Sequence, residues 1–134
     1  MSWILLVEDN PADAGLIRRA LEEHGVEGSV VVAADGETAI QLIEDVDSRP
    51  AQCPALAIID LSLPKKPGRE VLQRIRTCIG CRDVPVVILT SSDAHQDRQE
   101  ALRLGASQYI RKPSRLEEFL SLGAVFKAAL GGPR

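Results

Sequence analysis

Four apolar runs of strand length in this chain end abruptly at groups that can do chemistry. Ile4–Val7 stops at Glu8 and Asp9, Leu56–Ile59 at Asp60, and Val86–Leu89 at the hydroxyl of Thr90, while Tyr109 and Ile110 come just before Lys112-Pro113. If these runs are neighbouring parallel strands, their ends bring three carboxylates, a hydroxyl and an ammonium to one edge of one sheet. Carboxylates packed that closely repel, which raises their pKa values unless a cation compensates. Hard oxygen ligands with open water positions suit Mg²⁺, which takes one or two carboxylates, waters and a phosphate oxygen. Beside such an ion, Asp60 can act as a nucleophile toward a phosphoryl donor, with Lys112 neutralising the phosphoryl oxygens. Each residue alone has a plainer use, as a helix cap, a strand-end hydroxyl or a solvated charge. Their convergence on one edge is what points to a phosphoryl site.

The elements that must position them alternate along the chain. Trp3–Val7 reads as a strand that enters a helix through Asn10-Pro11, proline being well suited to a first helical turn. Leu16, Ile17, Ala20 and Leu21 recur at helical spacing, and Gly25 is a natural stop. Val30–Val32 forms a second β-branched run, after which Asp35-Gly36 turns into a helix reaching about Val46. An exposed loop over Asp47–Pro54 leads to a third strand, Ala55–Asp60, apolar at consecutive positions as a strand covered on both faces should be. Beyond Gly68 a helix turns Val71, Leu72 and Ile75 inward and Arg69, Glu70, Gln73, Arg74 and Arg76 outward. Val84–Thr90 is the fourth strand. The helix over Ala94–Leu104 has a thin apolar face and should be the least firmly packed. Gln108–Arg111 is the fifth strand, and a last helix starts near Ser114. Five strand–helix alternations call for an α/β fold with a five-stranded parallel doubly wound sheet. With strand order 2-1-3-4-5, strands one and three meet at the switch point where open α/β sheets bind ligands.

The bulk properties agree with one ordinary globular domain. The chain has 134 residues, 45% of them hydrophobic and 26% charged, with a formal net charge of -3, which suits a single core and disfavours disorder. Lys and Arg are scattered, so no nucleic-acid partner is expected. No apolar stretch approaches the roughly 18 residues of a membrane span, and no secretory leader is visible, so a cytoplasmic location is expected. Cys53, Cys78 and Cys81 are odd in number, which fits reduced thiols. The Cys78-x-x-Cys81 spacing lacks the further ligands a structural zinc needs.

Leu5-Leu6-Val7-Glu8-Asp9, Ile58-Ile59-Asp60-Leu61-Ser62-Leu63-Pro64 with Gly68 eight positions past the aspartate, Ile88-Leu89-Thr90-Ser91-Ser92 and Tyr109-Ile110-Arg111-Lys112-Pro113 together resemble the receiver domain of two-component response regulators. The resemblance covers essentially the whole chain, 1–134 with a core of about 3–130, and implies the CheY-like, flavodoxin-like (βα)5 fold. It further implies Asp60 as phosphoacceptor; Glu8, Asp9, Asp60 and the Ser62 backbone carbonyl as Mg²⁺ ligands; Thr90 and Tyr109 as a switch pair; Lys112 as the phosphate-contacting lysine; and a cis peptide before Pro113. The partner it implies is a sensor histidine kinase. The stretches Val7–Ala14 and Asp60–Leu72 look like those of stand-alone regulators paired with phytochrome-type and hybrid kinases. Ser62 and Ser92 stand where many relatives carry asparagine or a longer polar side chain, on the route of attacking water.

Only Gly131–Arg134 follow the last helix, so no output domain is expected and signalling should proceed by protein contact. Leu122, Val125 and Phe126 beside the Leu116-Phe119-Leu120-Gly123 stripe suggest an apolar excess on that helix. A homodimer through the fourth helix, fifth strand and fifth helix is expected. Three rivals compete: a phosphorylation-independent binding module, a flavodoxin-like cofactor carrier and an aspartate-nucleophile phosphatase of the haloacid dehalogenase type. The intact acid–threonine–lysine set argues against the first, and the acidic loop after strand one would repel the second's cofactor phosphate. The phosphatase wants an acid two residues after its nucleophile, where this chain has Ser62.

Overall fold

A computed structural model describes residues 2–131. In chain order the elements are β1 (Trp3–Val7), α1 (Pro11–Glu23), β2 (Ser29–Ala33), α2 (Gly36–Val46), a 3-10 turn (Pro50–Gln52), β3 (Leu56–Ile59), α3 (Gly68–Thr77), β4 (Val86–Thr90), α4 (His95–Arg103), β5 (Gln108–Arg111) and α5 (Leu116–Gly131). The five strands form one parallel sheet in the order β2-β1-β3-β4-β5. None of the described helices is long and apolar enough to cross a membrane.

Alternation along the strands divides the core in two. Leu5, Val7, Ala57, Ile59, Val86 and Ile88 face α2, α3 and α4, while Ile4, Leu6, Leu56, Ile58, Val87 and Leu89 face α1 and α5. Each central strand is thus buried on both sides, which is why its sequence is continuously apolar. Each chemical group at a strand's end therefore sits where the apolar pattern stops. α4 buries only Ala101, in keeping with the thin apolar face of its sequence and with low local stability.

Three expectations are corrected. Leu122 and Phe126 of α5 are buried with Phe119 against α1 and the sheet, so most of its apolar excess is core, and Leu116, half exposed, is what remains outside. Arg76 does not point to solvent. It is half-buried and donates to the carbonyls of Gly105, Arg82 and Val84, tying α3 to the turn before β5.

Nor are all three thiols free: Cys53 and Cys81 form a disulfide, with Cα atoms 5.6 Å apart, and Cys78 alone is a buried free cysteine. The two partners, 28 residues apart in sequence, precede β3 and β4, and the parallel pairing of those strands brings their entry loops together. For a loop of this length, reduction is expected to cost roughly 3 kcal/mol. That loss should appear as a lower urea midpoint with dithiothreitol than without it, and coincident unfolding curves would show that the bond contributes nothing.

Candidate functional site

The register of the parallel strands assembles the site. The backbone N–H of Glu8 donates to the carbonyl of Ala33, and that of Asp60 to the carbonyl of Val7, each at 3.0 Å, so the acids after β1 and β3 leave the sheet side by side. Lys112 is fixed just beyond β5 by its own N–H, 2.7 Å from the Thr90 carbonyl oxygen. The backbone beyond Asp60 folds back on it, with the Ser62 N–H donating to Asp60 Oδ1 at 3.1 Å.

Glu8, Asp9 and Asp60 each offer a carboxylate oxygen within 4.8 Å of the others. Glu8 and Asp60 are buried and Asp9 is exposed. The Lys112 ammonium reaches into this group, 2.8 Å from Glu8 Oε1 and 2.9 Å from Asp60 Oδ2, and it also lies 2.7 Å from Asp13 Oδ2. Burial alone would lower the lysine pKa, but hydrogen bonds to Asp13, Glu8 and Asp60 outweigh it and hold the ammonium well above its usual range. Glu8 is pushed up, first by burial and then against the pull of Lys112, with the neighbouring Asp60 charge adding to the rise. Four carboxylates around one ammonium leave a local excess of negative charge, and an all-oxygen donor set of this kind fits a hard divalent cation.

Thr90 is fully buried, and its Oγ1 has no hydrogen-bond partner among the described residues. Leaving a buried hydroxyl unpaired costs about 1–3 kcal/mol, so this atom is suited to an acceptor brought from outside. Tyr109 is also buried. Its hydroxyl donates to the Ser92 carbonyl at 2.9 Å, and the Arg98 guanidinium stands 5.7 Å from its ring centroid. Ser92 in turn donates to Asp97 Oδ2 at 2.5 Å and accepts the Ala94 N–H, so the β4–α4 loop and the tyrosine form one hydrogen-bonded unit.

Glu8, Asp9, Asp60, Ser62, Thr90 and Lys112 thus lie at the C-terminal edge of the sheet or on the loop beside it, and Tyr109, within β5, reaches the β4–α4 loop through its hydroxyl. One detail differs: all peptide bonds among the described residues are trans, including Lys112–Pro113, which corrects the expected cis bond. Trans is the lower-energy isomer by roughly 0.5–1 kcal/mol even before proline, and Lys112 holds both its backbone and its ammonium contacts with it. The sequence reading also missed Asp13. It sits in the first turn of α1, where an acid is ordinarily explained by the helix dipole, and no apolar run ends there to mark it.

Known proteins share this fold. The family described as the response regulator receiver domain matches residues 4–122. FilR2 of Methanothrix harundinacea, described as a probable methanogenesis regulatory protein, is 37% identical over 86% of this chain and 74% of its own length. Response regulator Rcp1 of Synechocystis is 32% identical over 89% of this chain and 82% of its own, and its Mn²⁺-bound crystal structure superposes with a TM-score of 0.83. The phosphorylated cyanobacterial phytochrome response regulator RcpA, 34% identical, superposes with a TM-score of 0.84 over 94% of this chain and 91% of its own.

Proposed function

The chain belongs to the response regulator receiver family, the signalling receivers of two-component systems, and on that premise we propose that Asp60 accepts a phosphoryl group from a sensor histidine kinase. The observation that carries this reading is the Lys112 ammonium held on Asp60 within a group of acids. Glu8, Asp9 and Asp60, with the Ser62 backbone carbonyl, would hold Mg²⁺. The ion, when bound, would supply positive charge to the phosphoryl oxygens.

The remaining steps fall to the chain's own side chains. A carboxylate oxygen of Asp60 attacks phosphorus, the bond from phosphorus to the donor's imidazole nitrogen breaks, and an aspartyl phosphate forms. Lys112, charged at any physiological pH, faces the added negative charge. The phosphoryl oxygens, carrying about -1.5 to -2 charges as a group, supply the acceptor that Thr90 Oγ1 lacks. Tyr109 and the Ser92 loop read that change, and α4, with its single buried side chain, is the element free to respond.

The kinase is proposed to be of phytochrome or hybrid type, because RcpA, to which the chain is similar over nearly its whole length, is a phytochrome response regulator. The output surface is proposed to be a homodimer face over α4, β5 and α5, where Leu102 and Leu116 are exposed. Incubation with Mg²⁺ and acetyl phosphate is expected to add the mass of one phosphoryl group to the wild type and none to Asp60→Asn. An unchanged wild-type mass would remove the proposal.

A further inference from the structure

An ammonium has three N–H donors, and those of Lys112 meet three carboxylates, Asp13 at 2.7 Å, Glu8 at 2.8 Å and Asp60 at 2.9 Å. Two of these partners belong to the acidic group of Glu8, Asp9 and Asp60. A cation entering that group would draw on the same carboxylates that now hold the lysine, and its charge would compete with the ammonium for them, so both contacts would weaken. Asp13 lies outside the group and keeps its oxygens for the lysine.

Asp13 is also rigidly delivered. The Asn10 side chain caps α1, accepting the N–H groups of Ala12 at 2.9 Å and Asp13 at 3.2 Å, and Pro11 fixes the first turn. The carboxylate is 24% exposed, against 2% for Glu8 and 7% for Asp60, so it carries its charge at the rim at lower desolvation cost.

We infer that Asp13 is a positioning residue, which keeps the Lys112 ammonium aimed at the phosphoacceptor when Glu8 and Asp60 turn to a cation. This rests on the reading of Asp60 as the phosphorylated residue. The plainer role, an acid complementing the α1 dipole, would affect helix stability alone.

The two roles separate in kinetics. At saturating Mg²⁺ and acetyl phosphate, Asp13→Ala is expected to slow the phosphorylation of Asp60 by roughly tenfold to a hundredfold, a misplacement of about 1 Å being enough for the upper figure. Asp13→Asn removes the charge but keeps an acceptor and should fall between Asp13→Ala and wild type, which also covers the case in which the alanine variant folds poorly. A readout independent of activity is the Nζ resonance of Lys112 in the Mg²⁺-loaded protein, visible when the ammonium is held and lost to exchange when it is not. It is expected in wild type and missing in Asp13→Ala. Folded variants that match or exceed the wild-type rate, with the Lys112 resonance intact, overturn the inference while leaving Asp60 as phosphoacceptor. A wild type that takes up no phosphoryl group overturns both.

Discussion

Replacing Lys112 with alanine is expected to destabilise the metal-free protein by about 3 kcal/mol, the scale of a buried charge stripped of its partner. The side chain is 9% exposed and contacts three carboxylates, two of them buried. Its pKa is raised on folding, so its stabilisation is complete below the unfolded lysine value near 10.5 and is lost only as pH rises through the higher folded value. At neutral pH the whole contribution is therefore present and removable. Glu8 moderates the loss, because its own raised pKa lets it take up a proton as pH falls. The deficit of Lys112→Ala against wild type should accordingly be larger at about pH 8 than at about pH 5.5. Mg²⁺ should recover part of it by supplying positive charge to the same oxygens. Urea unfolding at both pH values, with and without the ion, checks this. A deficit independent of pH and of Mg²⁺ would mean that the lysine acts by packing alone.

How much of this was legible in the sequence follows from where each signal lives. Strands covered on both faces must be apolar throughout, so the points where polarity resumes, at Glu8, Asp60 and Thr90, mark one edge of the sheet before any coordinate is known. The alternation of five strands with five helices then calls for a parallel sheet wound on both faces, and the order 2-1-3-4-5, one of the common doubly wound orders, is the one observed. The same logic fails for groups that meet by tertiary accident. Asp13 comes from a helix turn in which acids are common, and its partner is 99 residues away. The pairing of Cys53 with Cys81 depends on two strand-entry loops being adjacent, whereas the nearby Cys78 advertises a local motif it does not form.

Long amphipathic side chains were the other blind spot. Arg76 has the composition of a solvated face, yet its guanidinium satisfies three loop carbonyls that no secondary structure pairs, and only the folded neighbourhood shows that they need a donor. The apolar width of α5 has the opposite cause. Gly123 lets α5 approach α1 so closely that a methyl there would meet His24 Cγ at 2.7 Å, and the close seam buries residues that a wider spacing would leave exposed.

Gly68→Ala is expected to cost about 3 kcal/mol, the upper end of the usual range for adding a methylene to a packed core, and to degrade the site as well as the fold, since the insertion is against backbone. A methyl on Gly68 would drive into the carbonyl of Asp60, with its Cβ only 2.8 Å from the Asp60 carbonyl carbon and from Leu61 Cα. None of these atoms can rotate away. The loop has little slack either: Lys65 is held at a φ of 68°, in the left-handed region costly for a side chain, and the Gly68 N–H donates to Leu61 at 2.9 Å. Relief must come from moving the start of α3 or the backbone of Asp60, and the second displaces the carboxylate from Lys112. Gly15→Ala is the matched control. It lies in α1 with nothing within 4 Å of the added Cβ, so alanine should stabilise by roughly 0.5–1 kcal/mol. Opposite shifts in thermal midpoint, with slower phosphorylation in Gly68→Ala only, are the expected result. If Gly68→Ala lowers the midpoint without slowing phosphorylation, α3 has moved and Asp60 has not, and the close approach of Gly68 serves the fold rather than the aim of the phosphoacceptor.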